Sequence, residues 1–262
     1  MPEGHTIHRL ARDLRNDLKD QAIEATARQA RFADGAARLD GEVLSDAEAY
    51  GKHLFVHFDS GDLLHVHLGL VGKFRRRSPS DDPSDALRVR LAAGDAAWDL
   101  TGAMTCALVD PDHRASVVEK LGPDPLRRDG RSGPFIDAVQ SSKRPVALQL
   151  LDQSVIAGIG NVYRAEVLFL MGIHPKTPGD RLDADQLDTL WTLTRDLLRD
   201  GVRRNRIVTR TKDELPRGRI TPSEALYAYK RAGMPCRRCE DKIARTEIAN
   251  RKIWWCPTCQ PA

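Results

Sequence analysis

The 262-residue sequence predicts an α+β architecture, with a helix-flanked β-sandwich first, a helical region second and a small cysteine-bearing ribbon last. Three observations predict it. Apolar residues recur at helical spacing directly after the N-terminus. Short alternating segments broken by turn residues fill residues 22–109. Longer helical periods then follow a stretch rich in Pro, Gly and charge, and lead to two tight cysteine pairs.

The first helix follows Pro2 and Glu3, where Ile7, Leu10, Ala11, Leu14 and Leu18 form one stripe with Arg12, Asp13, Arg15 and Asp17 between them. Strands are expected at HLFVHF, DLLHVHLGLV, LRVRLA and CALV, with turns at 59–62 and 93–95 and a polar loop over 77–85. The stretch LGPDPLRRDGRSG lacks an apolar period and reads as a linker. Helices are expected at 135–140, 145–153, 162–171 and 184–203, the last with Leu187, Leu190, Trp191, Thr194, Leu197 and Leu198 on one stripe. The expected boundaries are 1–122 for the sandwich domain, 123–134 for the linker, 135–225 for the helical domain and 226–262 for the ribbon.

Composition narrows the function. No run of eighteen apolar residues occurs, and MPEGHTIHRL lacks the pattern of a secretory signal, so a cytoplasmic protein with no membrane association is expected. The net charge of +4 is unevenly spread. Residues 201–262 hold 15 Lys+Arg against 6 Asp+Glu, and residues 1–200 hold 26 against 31, giving +9 and −5. A basic module favours a polyanionic partner, because each cation that neutralises a phosphate releases a condensed counterion. A solvated basic surface without a partner would give the same count.

Four of the five cysteines form Cys236-Arg-Arg-Cys239 and Cys256-Pro-Thr-Cys259, a C-x2-C-x16-C-x2-C pattern. Two residues between cysteines let both thiolates of a knuckle reach one tetrahedral ion, and four thiolates leave no open position. One structural Zn2+ is therefore expected. Two redox pairs or disulfides are the other reading, but the intervening KIARTEIANRKIWW reads as a hairpin and not as a βαβ redox context. Cys106 reads as an ordinary buried thiol. The cations Arg237, Arg238, Arg245, Arg251 and Lys252 surround the expected hairpin, which suits a nucleic-acid backbone. Zinc ribbons also serve transcription, translation and protein contacts.

Within LLDQSVIAGIGNVYRAE, Gly158 and Gly160 shape a tight junction between helices, and Asn161 is expected to cap the second one. A helix N-terminus offers a seat for phosphate. GIGNVYRAE ahead of a four-cysteine ribbon resembles the helix–two-turn–helix signature of the formamidopyrimidine-DNA glycosylase and endonuclease VIII family. MPEGH, GKHLFVHF, HLGLVG, KLGPDPL, the GIGN turn and CRRC…RKIWWCPTCQ occur in that family's order, so the resemblance spans nearly the whole chain.

The resemblance implies a DNA glycosylase with AP lyase activity, working on damaged DNA as a monomer. Pro2, once Met1 is removed, would be the nucleophile. Its α-amino group, with an ordinary pKa near ~8, is partly neutral at neutral pH, and the following helix places its positive end beside it. Glu3 would relay protons to the sugar. Lys52 would protonate the leaving group and contact phosphate. Leu70, with Val71 or Gly69 beside it, would fill the space left by a flipped base. Asn161 and Arg251 would hold the phosphates, with Lys143 a further phosphate contact. The 8-oxoguanine branch of the family carries an Arg-x-Phe pair in a later loop, where this chain has Asp99-Leu-Thr-Gly-Ala-Met-Thr. That departure, with PEGH, leans toward endonuclease VIII and toward oxidised pyrimidines or hydantoins. A damage-binding protein without chemistry, built on the same scaffold, is the rival expectation.

Overall fold

A computed structural model of the chain describes residues 2–218 and 220–262. Its Cα trace divides into two compact units, Met1–Lys120 and Leu121–Ala262.

In the first unit the N-terminal stripe becomes α1 (Gly4–Leu18), whose Ile7, Leu10, Ala11, Leu14 and Leu18 are all buried. Each Leu or Ile so removed from water contributes about 1.5–3 kcal/mol, which fixes the face α1 presents to the core. Two four-stranded antiparallel sheets supply the other layers. One contains β1 (Glu24–Thr26), β5 (Lys73–Arg77), β6 (Leu87–Ala93) and β7 (Ala96–Thr101), in the order β1-β6-β7-β5. The other contains β2 (Leu44–Tyr50), β3 (His53–Phe58), β4 (Leu63–His67) and β8 (Thr105–Val109), in the order β2-β3-β4-β8. Alternate residues face inward, so Leu54, Val56, Leu64 and Val66 of one sheet share a core with Val89, Leu91, Trp98 and Leu100 of the other. Across the first sheet Arg90 pairs with Asp99 through two bonds of 2.7 and 2.9 Å, a buried bidentate ion pair.

Two helices interrupt the expected run of strands and its sequel. In α2 (Ala33–Leu39) only Ala36 and Leu39 turn inward, too short a stripe to show as a period. Helix α3 (Pro111–Glu119) buries no side chain at all and is set by its start: Asp110 accepts a bond from the His113 amide, and Pro111 opens the first turn.

The second unit holds α4 (Ser132–Gln140), α5 (Val146–Gln149), α6 (Asn161–Met171) and α7 (Ala184–Arg204). Helix α5 stops at Gln149 and the chain continues to Gln153 as turns, so the helix expected over 145–153 is only partly formed. Asp183 starts α7 with a capping box closed by Gln186, and Leu187, Leu190, Trp191, Thr194 and Leu198 are buried as the stripe required. Before α4, residues 121–131 run as turns, with Asp124 buried and accepting a bond from the Leu126 amide. Strands β9 (Ala244–Ile248) and β10 (Arg251–Trp255) form a hairpin. Its two-residue turn, Ala249-Asn250, has φ of 48° and 59°, the left-handed pair that matches strand twist. Among the described residues no helix is long and apolar enough to cross a membrane.

Candidate active site and nucleic-acid interface

Strand register gathers the expected catalytic residues of the first unit at one end of the β2-β3-β4-β8 sheet. His53 opens β3, His67 closes β4 and Thr105 opens β8, and these three are cross-strand neighbours. The Gly51-Lys52 turn, the 68–72 loop and the 102–104 loop therefore all leave the sheet at that end. Helix α1 arrives there too. Arg15 donates to the Ala47 carbonyl at 2.7 Å and the Asp20 amide to that of Leu44 at 2.8 Å, so α1 runs against the direction of β2. Going back eleven residues from Arg15 to Gly4 at ~1.5 Å each covers about 16 Å, whereas β2 needs only about 10 Å from Ala47 to its end at Tyr50 at ~3.3 Å per residue, so the start of α1 reaches past that end of the strand. Pro2 is half-buried and Glu3 fully buried, immediately ahead of the first turn of α1. Met1, whose removal would free the Pro2 nitrogen, lies outside the described residues.

Lys52 sits at the second position of a two-residue hairpin turn whose first position, Gly51, has φ of 56°. Beside it is a column of aromatic rings that the sequence reading did not single out. His53 stacks on His65 at 5.2 Å and faces His67 at 4.9 Å, Phe55 stacks on His65 at 4.7 Å, and His113 of α3 closes on His65 at 5.6 Å. His53 Nδ1 and His65 Nε2 share a hydrogen bond of 2.9 Å. Burial holds these imidazoles neutral, His53 down to about 3 and His65 to about 4, helped at His53 by His67, His65 and the Lys52 ammonium and at His65 by His113 and His67. His67 is lowered by the same burial and by Lys52.

Leu70 and Val71 are 64% and 73% exposed, and Met104 on the neighbouring loop is 70% exposed. These loops are packed together: a Cβ on Gly69 would lie 3.1 Å from the Met104 Cβ. Gly72 permits the sharp return into β5, because any side chain there would strike the Leu68 carbonyl at 2.3 Å. The result is one apolar knuckle built from two loops. Met104 was visible in the sequence only as the loss of another pattern, although a long apolar side chain just after a Gly-containing turn is itself a signal.

In the second unit Gln153 fixes the turn before α6, donating to the carbonyls of Leu151 and Ile159 at 3.0 Å while its Oε1 accepts from the Gly158 amide at 3.0 Å. Gly158 has φ of 94°, which its lack of a Cβ allows. Asn161 does not cap α6 as expected. It is the first residue of the helix, Gly160 occupies the cap position, and the Asn161 side-chain oxygen Oδ1 accepts a 2.5 Å bond from Arg164. From the first helical position its side chain meets Arg164, three residues on, while the cap position itself falls to Gly160. Helix α6 also carries Glu166, fully buried, which accepts bonds from Thr209 Oγ1 at 2.5 Å and from the amides of Tyr227, Ala228 and Tyr229 at 2.7–2.8 Å. Arg164 and Glu166 were missed by stripe reasoning. Their signal is two opposite charges inside VYRAEVLF, where every neighbour is buried. Arg251 is exposed at the start of β10, and Lys143 is exposed between α4 and α5.

The four cysteine sulfurs all lie within 4.8 Å of one another, with Cys236 to Cys259 at 3.8 Å and Cys239 to Cys256 at 3.4 Å. A tetrahedral ion with Zn–S bonds of ~2.3 Å needs sulfur separations of about 3.8 Å, so the thiolates fit one structural zinc ion. The knuckles are tied to the rest of the unit. Gln260 binds the Cys256 amide through Oε1 at 3.0 Å and donates to the Ile173 carbonyl at 2.7 Å, and Arg238 lies 4.9 Å over the Phe169 ring. Cys106 in β8 is half-buried, and burial pushes its thiol up to about 12, which leaves it unreactive.

Three family models match in succession. They are the formamidopyrimidine-DNA glycosylase N-terminal domain over residues 1–111, the formamidopyrimidine-DNA glycosylase H2TH domain over 121–213, and the zinc finger found in FPG and IleRS over 233–262. The chain is 40% identical to Endonuclease 8 1 of Mycobacterium tuberculosis over 99% of this chain and 100% of that one. It is 32% identical to Probable endonuclease 8 2 of Streptomyces coelicolor over 99% and 94%. In fold it is similar to Lactococcus lactis Fpg in a complex with DNA containing an abasic site, with a TM-score of 0.84, 22% identity and coverage of 99% and 100%.

Proposed function

The chain belongs to the formamidopyrimidine-DNA glycosylase and endonuclease VIII family, and from that premise we propose that it excises oxidised bases from DNA through Pro2 and then cuts the strand. The single observation that carries this reading is the convergence of the chain start, the Lys52 turn and the apolar knuckle at one end of one sheet.

In this reaction the lone pair of the Pro2 nitrogen, freed by loss of Met1, forms a bond to C1′ of the damaged nucleotide. The C1′–base bond breaks, and the base leaves with the electron pair and takes up a proton, which Lys52 supplies. Glu3, a buried carboxyl group next to the nucleophile, passes a proton to the ring oxygen as the sugar opens. The C1′–nitrogen bond becomes an iminium, which accepts the electrons released when a C2′ proton is removed. The C3′–oxygen bond breaks in β-elimination, and loss of a proton from C4′ of the unsaturated iminium then expels the C5′ phosphate as the C5′–oxygen bond breaks in the δ step. Leu70, Val71 and Met104 enter the stack where the base was. Asn161 and Arg251, with Lys143 as a further contact, bind backbone phosphates. Oxidised pyrimidines and hydantoins are the proposed lesions, since the later loop offers apolar Met104 where the 8-oxoguanine branch has a charged and an aromatic residue. The proposed acting form is a monomer.

Borohydride reduction during incubation with an abasic duplex tests this. A covalent protein–DNA adduct is expected from protein that begins at Pro2. Tight binding without any adduct would instead make the chain a damage-binding protein with no chemistry.

A further inference from the structure

We propose that Arg164 is a positioning residue that makes Asn161 and the β10 strand carrying Arg251 into one phosphate-binding unit, an inference that rests on the phosphate roles proposed above. Arg164 lies fully buried in α6, and its guanidinium donates to Asn161 Oδ1 at 2.5 Å, to the Lys252 carbonyl at 2.7 Å and to the Ala147 carbonyl at 3.2 Å.

A guanidinium has donors and no acceptor, so the Asn161 atom that meets it must be the amide oxygen. The amide nitrogen is thereby turned to the other side, and its two N–H groups become the end presented to an anion. With the opposite rotation, two donors would face each other and the oxygen would repel a phosphate. Arg164 thus decides which end of Asn161 DNA meets. Its bond to Lys252, the residue after Arg251, fixes the start of β10 to the same helix turn. On the far side, Glu166 holds the amides of 227–229, so the ribbon is mounted on α6 from both flanks. Burying a guanidinium is costly, and an apolar side chain of similar volume is often as stable in such a place. A charge kept there points to orientation of its partners.

The test is a pair of double-mutant cycles, read as affinity for a duplex carrying a tetrahydrofuran abasic analogue. Asn161→Ala and Arg251→Ala are each expected to weaken binding about tenfold or more. Arg164→Met is expected to weaken it at least as much while zinc content and thermal midpoint stay near those of the parent. In the Arg164→Met background each of the other two changes should then cost less than about threefold, because the contact is already misdirected. Persistence of both full losses in that background would overturn the coupling. Parent-like affinity of the two single variants would overturn the phosphate roles and this inference with them. Should Arg164→Met fail to fold, Asn161→Asp decides: it keeps the oxygen that Arg164 needs and removes the amide nitrogen. That variant is expected to melt no lower than the parent and to lose about tenfold in affinity. Parent-like affinity for Asn161→Asp would overturn the proposal.

Discussion

At the scale of single residues, the histidine column beside Lys52 has a consequence for stability. His53, His65 and His67 are neutral in the folded protein because burial and neighbouring positive charge disfavour their charged forms. In the unfolded chain each would take up a proton near pH ~6.5. The unfolded state therefore binds more protons between about pH 6.5 and the folded values, and stability falls as pH falls through that window. His65, which is 4% exposed, is the cleanest probe. Denaturant unfolding of the parent should lose about 1.4 kcal/mol per pH unit for each such proton below pH ~6. His65→Gln should flatten the profile by one proton's share. An unchanged slope in that variant would show that His65 does not titrate in this way.

At the scale of elements, the two packed loops at the sheet end act together. Leu70 and Val71 are exposed, so shortening them should leave the fold intact. Their proposed work is to hold open the gap left by an extruded base, an unstacking that costs a few kcal/mol. Leu70→Ala with Val71→Ala is therefore expected to slow excision of an oxidised base from duplex DNA roughly tenfold or more, and to slow cleavage at a pre-formed abasic site much less. Equal loss on both substrates would contradict a wedge role. Elements differ in how far the sequence revealed them, and the reason is burial. Helices α1 and α7 announced themselves because each buries a full stripe. Helix α3 stayed hidden because it buries none, and α2 because two inward residues make no period. The end of α5 was misplaced because the apolar residues beyond Gln149 are buried from turns.

At the scale of the whole molecule, the residues proposed to carry the chemistry were more legible than those proposed to aim them. The cysteine spacing alone specified a closed tetrahedral site, and ordered motifs pointed to Pro2, Glu3, Lys52, Asn161 and Arg251. Arg164, Glu166, Gln260 and the histidine column escaped notice because their partners are backbone groups or residues distant in the chain, and no local period encodes such a bond. Met104 escaped because its significance depends on the packing of one loop beside another. The proposed reaction turns on a free nitrogen at Pro2. The most direct measurement is to trap the reaction on an abasic duplex with borohydride, digest the adduct and locate the sugar remnant by mass spectrometry. The expected result is a label on the nitrogen of Pro2 in a peptide that lacks Met1. A label on Lys52 or another internal amine, or undiminished trapping by protein that keeps Met1, would contradict it.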